Sequence, residues 1–433
     1  DIIMPSETIA ILLLIGLFIF LMAVRMPIAL SIGIASMVTC IYLDIPVQMV
    51  LQNMVKGVNT YSLLAVPFFI LMGDIMSAGG ISKRLLRLAG VMVGWMHGGL
   101  AMVTIVASLL FGAVSGSSAA SVATLGPTLI PNMEKEGYEK DFATCIVMAS
   151  SVEGILIPPS QNMVIYALAA GGVSVGALFL AGILPGCLLA GCLMVYSYYV
   201  ARKRNYPIGE KFQIKKVWLA FKDAFWGLLT IVIVVIGVCT GFITATESAA
   251  LAVLWSIFVT FAIYREVSIK ELPRMLFNSV KTLAMIMILI SMSTAFGWLM
   301  AYLKVPVLIT NSIYSITDNP VIIMLIINVL LLGLGMVMEM GSLILIVTPI
   351  LLPIVQSIGY SPVHFGVIMI LNLGIGLLTP PVGSSLFIAS GISGIKIEAL
   401  TKRMLPIYLT MIICLMMVTF IPAISMTLPN LGA

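Results

Sequence analysis

The sequence predicts an all-α polytopic membrane protein built as an inverted repeat of two halves, each with five crossing helices and one re-entrant hairpin. Three observations carry this expectation. Of the 433 residues, 61% are hydrophobic and only 9% charged, whereas a soluble domain carries about 25% charged residues; the mean hydropathy of +1.18 agrees. Sliding the chain by 222 positions places Pro127 on Pro349, Pro131 on Pro353, Gly137-Tyr138 on Gly359-Tyr360, Gly154 on Gly376 and Pro158-Pro159 on Pro380-Pro381, without a gap. An internal repeat of broken apolar segments is the sequence sign of a carrier binding site. The third observation is where the basic residues fall, which fixes how the spans are threaded.

Apolar runs of about 20 residues mark spans at 6–24, 27–44, 62–79, 98–131, 141–171, 174–200, 225–241, 245–264, 281–301, 320–355, 362–392 and 404–427. Short amphipathic pieces lie between them at 46–60, 81–93, 265–280 and 303–317. Let 98–131 and 320–355 return to the side they entered while the other spans cross. Then only Lys56 and Lys304 fall on the far side, and the other 20 of the 22 Lys and Arg residues share one side, as the positive-inside tendency requires. Single crossings there would scatter the basic loops over both faces. Five crossings per half is an odd number, so the repeats are inverted and both termini lie outside. The expected division is a first repeat over 1–200 (scaffold helices 6–79, hairpin 98–131, broken helix 141–171, helix 174–200). A cytoplasmic connector follows over 201–224, then a second repeat over 225–433 (scaffold helices 225–301, hairpin 320–355, broken helix 362–392, helix 404–427). Pieces 46–60 and 265–280 are expected as arms between a fixed scaffold and a moving body of hairpins and broken helices. The first run follows Asp1 and Glu7 with no basic leader region, so it reads as a retained helix.

Both breaks are chemistry that lipid cannot hydrate, so each must line a polar cavity or be packed in protein. Proline at 158 and 159 removes the N–H groups that would bond the carbonyls of Gly154 and Ile155, and Pro380 and Pro381 do the same for Gly376 and Leu377. Bare carbonyls at membrane depth cost several kcal/mol, and a hard cation with an oxygen shell relieves that cost. Beyond each break a new half-helix opens at Ser160-Gln-Asn162 and at Gly383-Ser-Ser385, with free N–H groups that attract an anion. The candidate cation ligands are Gly154, Ile157, Gly376, Thr379 and Val382 at the breaks, with Ser115, Gly116 and Ser117 at one hairpin tip and Gly335, Glu339 and Gly341 at the other. The substrate anion is expected near Ser118, Ser160, Asn162 and Ser384, held by amides and hydroxyls, because the membrane-depth core holds no arginine; Lys304 is the one cation that a displacement would bring near. Alone, the cluster Gly112 to Ser121 would read as a helix-packing surface and each Pro-Pro as a kink; their joint recurrence favours a site. Glu153 and Glu339 lie beside the breaks, and acids at that depth imply a role, whereas Thr244 and Glu247 read as a capping box. The six cysteines show no metal-ligand spacing and read as small buried hydrophobes. No nucleic-acid partner, organic cofactor or catalytic constellation is indicated.

Five stretches carry a resemblance: Ala65-Val-Pro-Phe-Phe-Ile-Leu-Met-Gly73, Gly112 to Gly126, Ile155-Leu-Ile-Pro-Pro-Ser160, Gly241 to Ala250 and Leu378-Thr-Pro-Pro-Val-Gly-Ser-Ser385. Together they resemble the large membrane subunit of tripartite ATP-independent periplasmic (TRAP) transporters, the DctM-like family, across essentially the whole chain. Ser248 departs from the alanine commoner there, a small-for-small change. The resemblance implies an elevator-type carrier of a bacterial inner membrane with periplasmic termini, two or more sodium ions for coupling, a small four-helix membrane subunit and a periplasmic substrate-binding protein. The implied substrate is a carboxylate-bearing organic acid: sialic acid, a C4-dicarboxylate or a sugar acid. The competing readings are a stand-alone dicarboxylate carrier that needs no binding protein and a non-transporting membrane scaffold.

Overall fold

A computed structural model describes residues 5–431 apart from 25, 210, 316 and 382, and the regular elements among the described residues are helices, with one isolated bridge between His97 and Ile208. The first half contains α1 (Pro5–Ala23), α2 (Ile28–Tyr42), α3 (Gln48–Val58), α4 (Ala65–Ala78), α5 (Ile81–Val93) and α6 (Gly99–Ser115). It continues with α7 (Ser118–Lys135), α8 (Lys140–Ser151), α9 (Glu153–Leu156), α10 (Gln161–Ala169) and α11 (Val175–Arg204). The second half contains α12 (Ile214–Cys239), α13 (Ala245–Phe258), α14 (Leu272–Tyr302), α15 (Val305–Tyr314) and α16 (Pro320–Gly335). It ends with α17 (Met340–Ser357), α18 (Pro362–Gly376), α19 (Ser384–Ser393), α20 (Ile397–Phe420) and α21 (Ala423–Leu431).

Among the described residues six helices are long and apolar enough to cross a membrane, or eight if the pairs bent by 71° after Ala78 and by 51° after Leu156 each count as one span. Other apolar segments are cut into shorter helices by the breaks that the sequence marks. The 222-residue period survives in three dimensions. Helices α7 and α17 share their bounds at that offset, N-capped by Ser117 and Glu339, and end in the same turn, with Gly137 and Gly359 both at φ 89°, a value only glycine adopts without strain. The Pro158-Pro159 and Pro380-Pro381 bonds are both cis.

Packing follows the same exchange of halves. Helix α7 packs on α19 and α17 packs on α10, so the second helix of each hairpin lies against the post-break helix of the other half. Helix α18 packs against α16, α11 and α17, and its residues His364 to Gly376 are buried without interruption. A second group joins α2, α3, α4, α13 and α14, with α12 against α13 and α5. Arg84 of α5 ties that group together: its guanidinium bonds Asp223 of α12 at 3.3 Å and Glu266 beyond α13 at 2.6 Å, and lies 3.7 Å over the Tyr264 ring.

Three features differ from the sequence expectation. The stretch 201–224 is mostly helical, because α11 runs to Arg204 and α12 begins at Ile214; Ile214, Trp218, Phe221 and Phe225 recur at helical spacing between the lysines. The piece 265–280 is not a separate helix, since α14 runs from Leu272 through Tyr302 with no glycine or proline between Arg274 and Phe296 to stop it. Its first-half counterpart α3 does end, at Asn59, before a short 3₁₀ turn at Tyr61–Leu64. Of the cysteines, Cys40, Cys145 and Cys414 are buried but Cys187 is exposed, because a helix facing lipid keeps apolar residues on its outer surface too.

Candidate functional site

The first hairpin tip lies directly on the first break. A Cβ at Gly112 of α6 would fall 2.0 Å from the Gly154 Cα, and one at Gly154 would fall 2.3 Å from the Gly112 Cα, so the two backbones touch. Four residues on, Gly116 turns the chain at φ 60°, and a Cβ there would stand 3.0 Å from the Pro159 carbonyl and 3.6 Å from the Ser160 Cα. The tip hydroxyls hold one another: Ser115 and Ser121 share a hydrogen bond at 3.3 Å, Ser121 donates to the Ser117 carbonyl at 3.0 Å, and Ser117 caps α7 by accepting from the Ala120 N–H at 3.4 Å.

The second half repeats the contact. A Cβ at Gly376 would lie 2.7 to 2.8 Å from the Gly335 backbone, and the chain then closes so tightly that a Cβ at Gly383 would meet the carbonyl oxygens of Leu377 and Thr379, each at 2.9 Å. At this tip the Glu339 carboxylate, exposed on the surface, accepts the Ser342 N–H at 3.3 Å, and Gly341 sits beside it, its absent Cβ 3.1 Å from the carboxylate. Each hairpin is also clamped to its broken helix by a buried polar pair: Ser150 donates to Ser108 at 2.9 Å, and Asn372 donates to the Asn328 side chain at 2.8 Å. Ser150 and Asn372 are 222 residues apart.

The halves meet at Ser118, whose hydroxyl shares hydrogen bonds with Ser151 at 2.6 Å and with Ser385 at 2.8 Å. Of the expected substrate residues, Ser118 and Ser160 are buried, Asn162 is nearly so, and Ser384 is half-buried; the residue that reaches Ser118 is Ser385, one position beyond the expected Ser384. Sequence reasoning missed Ser385, Ser151 and the two polar clamps. The spacing of Ser150 and Asn372 was the available signal for the clamps.

The carbonyls are only partly free. The expectation that Gly376 is unbonded is corrected: its oxygen accepts the Thr379 N–H at 3.0 Å, because the chain tightens into a turn after α18. The next turn is closed as well, with Tyr408 of α20 donating to the Leu378 carbonyl at 2.6 Å and the Thr379 hydroxyl donating to Ile375 at 2.8 Å. At the first break the Ile157 N–H goes to the Glu153 carbonyl at 3.1 Å, while among the described residues no donor is directed at the Gly154 oxygen. The Ser160 hydroxyl and both Glu153 carboxyl oxygens are buried without a hydrogen-bond partner. Val382 lies outside the described residues. Asp74 is remote from both breaks in sequence and accepts the Ser279 hydroxyl of α14, and the Thr244–Glu247 capping box is formed.

Such an arrangement, two broken helices faced by two hairpins inside an all-helical apolar body, defines a polytopic membrane transporter. The fold resembles that of the Alcanivorax borkumensis YdaH transporter, with a TM-score of 0.63 over 86% of this chain and 87% of that one at 13% identity. The sequence is more specific. Residues 15–424 match the family described as tripartite ATP-independent periplasmic transporter, DctM component, and the chain belongs to that family. It is 38% identical to the C4-dicarboxylate TRAP transporter large permease protein DctM of Rhodobacter capsulatus over 97% of this chain and 99% of that one. It is 42% identical to the uncharacterized protein YgiK of Salmonella typhimurium over 98% of each.

Proposed function

We propose that the chain is the large permease of a sodium-coupled TRAP system that imports a carboxylate-bearing organic acid across a bacterial inner membrane. The observation that carries this is the contact of each hairpin with its own break, Gly112 on Gly154 and Gly335 on Gly376, which concentrates backbone oxygen beside half-helix N-termini. In this reading sodium binds at the first break to the Gly154 and Ile157 carbonyls with the tip Ser115 to Ser117. At the second break it binds to Thr379 and Val382, with Gly335, Gly376, Glu339 and Gly341 around it. The unpartnered Glu153 carboxyl and Gly154 carbonyl occupy one turn and offer oxygens that no protein donor takes; a cation satisfies both. The substrate carboxylate lies between the sites, on the free Ser160 hydroxyl, the amides opening α10 and α19, and Ser118, Asn162 and Ser384.

The repeats are inverted, with both termini periplasmic, and hairpins and broken helices travel as one elevator body. The exchanged packing of α7 on α19 and α17 on α10 supports that unity, since moving one break without the other would separate buried polar groups. A small four-helix membrane subunit and a periplasmic binding protein complete the system, and the large-permease name of the Rhodobacter relative favours this over a stand-alone carrier. Uptake into proteoliposomes should require an inward sodium gradient, the small subunit and a cognate binding protein. Equal uptake with potassium in place of sodium would refute the coupling, and full uptake without any binding protein would favour the stand-alone carrier.

A further inference from the structure

Away from the breaks, a cavity of about 510 Å³ opens between α5, α6, α7 and the segment that leads into α12. Among the described residues Lys83, Arg87 and Lys211 line it, with Lys216, which has a partner of its own, beside them and Glu136 as the one lining carboxylate. Lys83 and Lys211 have no carboxylate at ion-pair distance among the described residues, and Arg87 reaches Asp223 only at 3.9 Å. Leu86, Val91, Leu100, Val103 and Leu129 give the wall an apolar face, and Asn132 and Gln213 add neutral polar groups. This is a built cavity and not a loop crossing a surface. Its outer wall is pinned where the Gly98 N–H bonds the Pro207 carbonyl at 3.3 Å, and Gly209 lies so close to Gly94 that an added Cβ would stand 2.2 Å from its carbonyl oxygen.

The surroundings place the cavity at a membrane boundary. Trp95 and Phe212 meet edge-on at 6.3 Å beside it, and Ile208, Ile214 and Trp218 are exposed along the same segment, interleaved with Lys211, Lys215 and Lys216. Exposed aromatic and apolar residues alternating with lysines are the pattern of a segment lying at the headgroup level. A soluble anion would use Lys83 and Lys211 but would leave the apolar wall wet; a neutral lipid would use the wall but would bring no counter-ion to those two lysines. We propose that this cavity binds an anionic phospholipid, its phosphate among Lys83, Arg87 and Lys211 and the upper part of one acyl chain along Val91, Val103 and Leu129. Basic cavities between membrane helices hold anionic headgroups for this reason.

Gly90 gives a test that leaves charge untouched. It lines the cavity, and a Cβ there meets nothing within 4 Å, so Gly90→Leu should fill the space while improving helix propensity. The full chain is reconstituted in nanodiscs of mixed phosphatidylglycerol and phosphatidylcholine, extracted, washed, and its retained lipid counted by native mass spectrometry. The wild type should retain phosphatidylglycerol over phosphatidylcholine on the order of tenfold. That preference should fall toward unity both in Lys83→Gln with Lys211→Gln and in Gly90→Leu, with thermal melting near that of the wild type. Three results would overturn the proposal: no preference in the wild type, a preference unchanged in both variants, or complete displacement by millimolar inorganic phosphate, which would make the ligand a small anion.

Discussion

At the scale of single residues, the decisive feature is the absence of side chains where α6 meets α9. Gly112 and Gly154 touch backbone to backbone, so Gly154→Ala must push the hairpin off the break, an overpacking cost of ~1–3 kcal/mol. Uptake by Gly154→Ala should fall by roughly tenfold or more, while Gly191→Ala, where an added Cβ meets nothing within 4 Å, should transport at the wild-type rate. Wild-type transport by Gly154→Ala would show that the contact is incidental. The places of Gly154 and Ser160 beside a proline break and of Ser118 at a hairpin tip were legible in the sequence. Ser385 was not, since its bond to Ser118 spans 267 residues and depends on how the halves dock, which no local pattern encodes. The same reason accounts for the Gly376 carbonyl: missing proline N–H groups are visible in sequence, but the turn that delivers the Thr379 N–H is not.

At the scale of elements, the matched prolines and Gly-Tyr turns of α7 and α17 were legible in the sequence, but the helices run past the expected ends at 131 and 355 to Lys135 and Ser357, with the prolines inside them. The fusion of the expected second arm into α14 was not legible, because amphipathic and apolar stretches join into one helix when nothing between them stops it. Arg84 is the element-level anchor that charge counting hid, since orientation arguments treat every basic side chain alike. It bonds one carboxylate of α12 and one of the segment that follows α13, and lies over the Tyr264 ring while only 15% exposed. Arg84→Gln removes a charge from a partly buried network, and a loss of about 2 kcal/mol is expected. A fall in melting temperature in detergent with sodium affinity unchanged would fit this structural role; lowered sodium affinity at wild-type stability would place Arg84 in the transport site instead.

At the scale of the whole molecule, the account requires a body of hairpins and breaks that moves against a scaffold of α2, α3, α4, α13 and α14. A Cβ added at Gly73 of α4 would stand 3.4 Å from the Ser115 Cα, so a disulfide between Gly73→Cys and Ser115→Cys should stop transport until reduced. One between Gly126→Cys and Ile392→Cys, which joins α7 to α19 where an added Cβ at 126 would lie 3.2 Å from Ile392, should be tolerated; the opposite pattern would dissolve the proposed division. Composition made the all-helical membrane class readable from sequence, whereas the partnering of each hairpin with the other half's post-break helix needed the structure. The central claim is that the carbonyl left open at the first break binds the coupling ion. Sodium titration of uptake in proteoliposomes addresses it most directly, comparing the wild type with Pro158→Ala, Pro380→Ala and Ser160→Ala. Restoring an N–H at 158 lets the helix close on the Gly154 oxygen. The half-saturating sodium concentration should therefore rise by about tenfold, roughly the contribution of one charge-assisted bond. Pro380→Ala should shift it less, because Gly376 already accepts the Thr379 N–H, and Ser160→Ala should raise the substrate KM with sodium affinity unchanged. Unaltered sodium affinity in both proline variants would contradict the account.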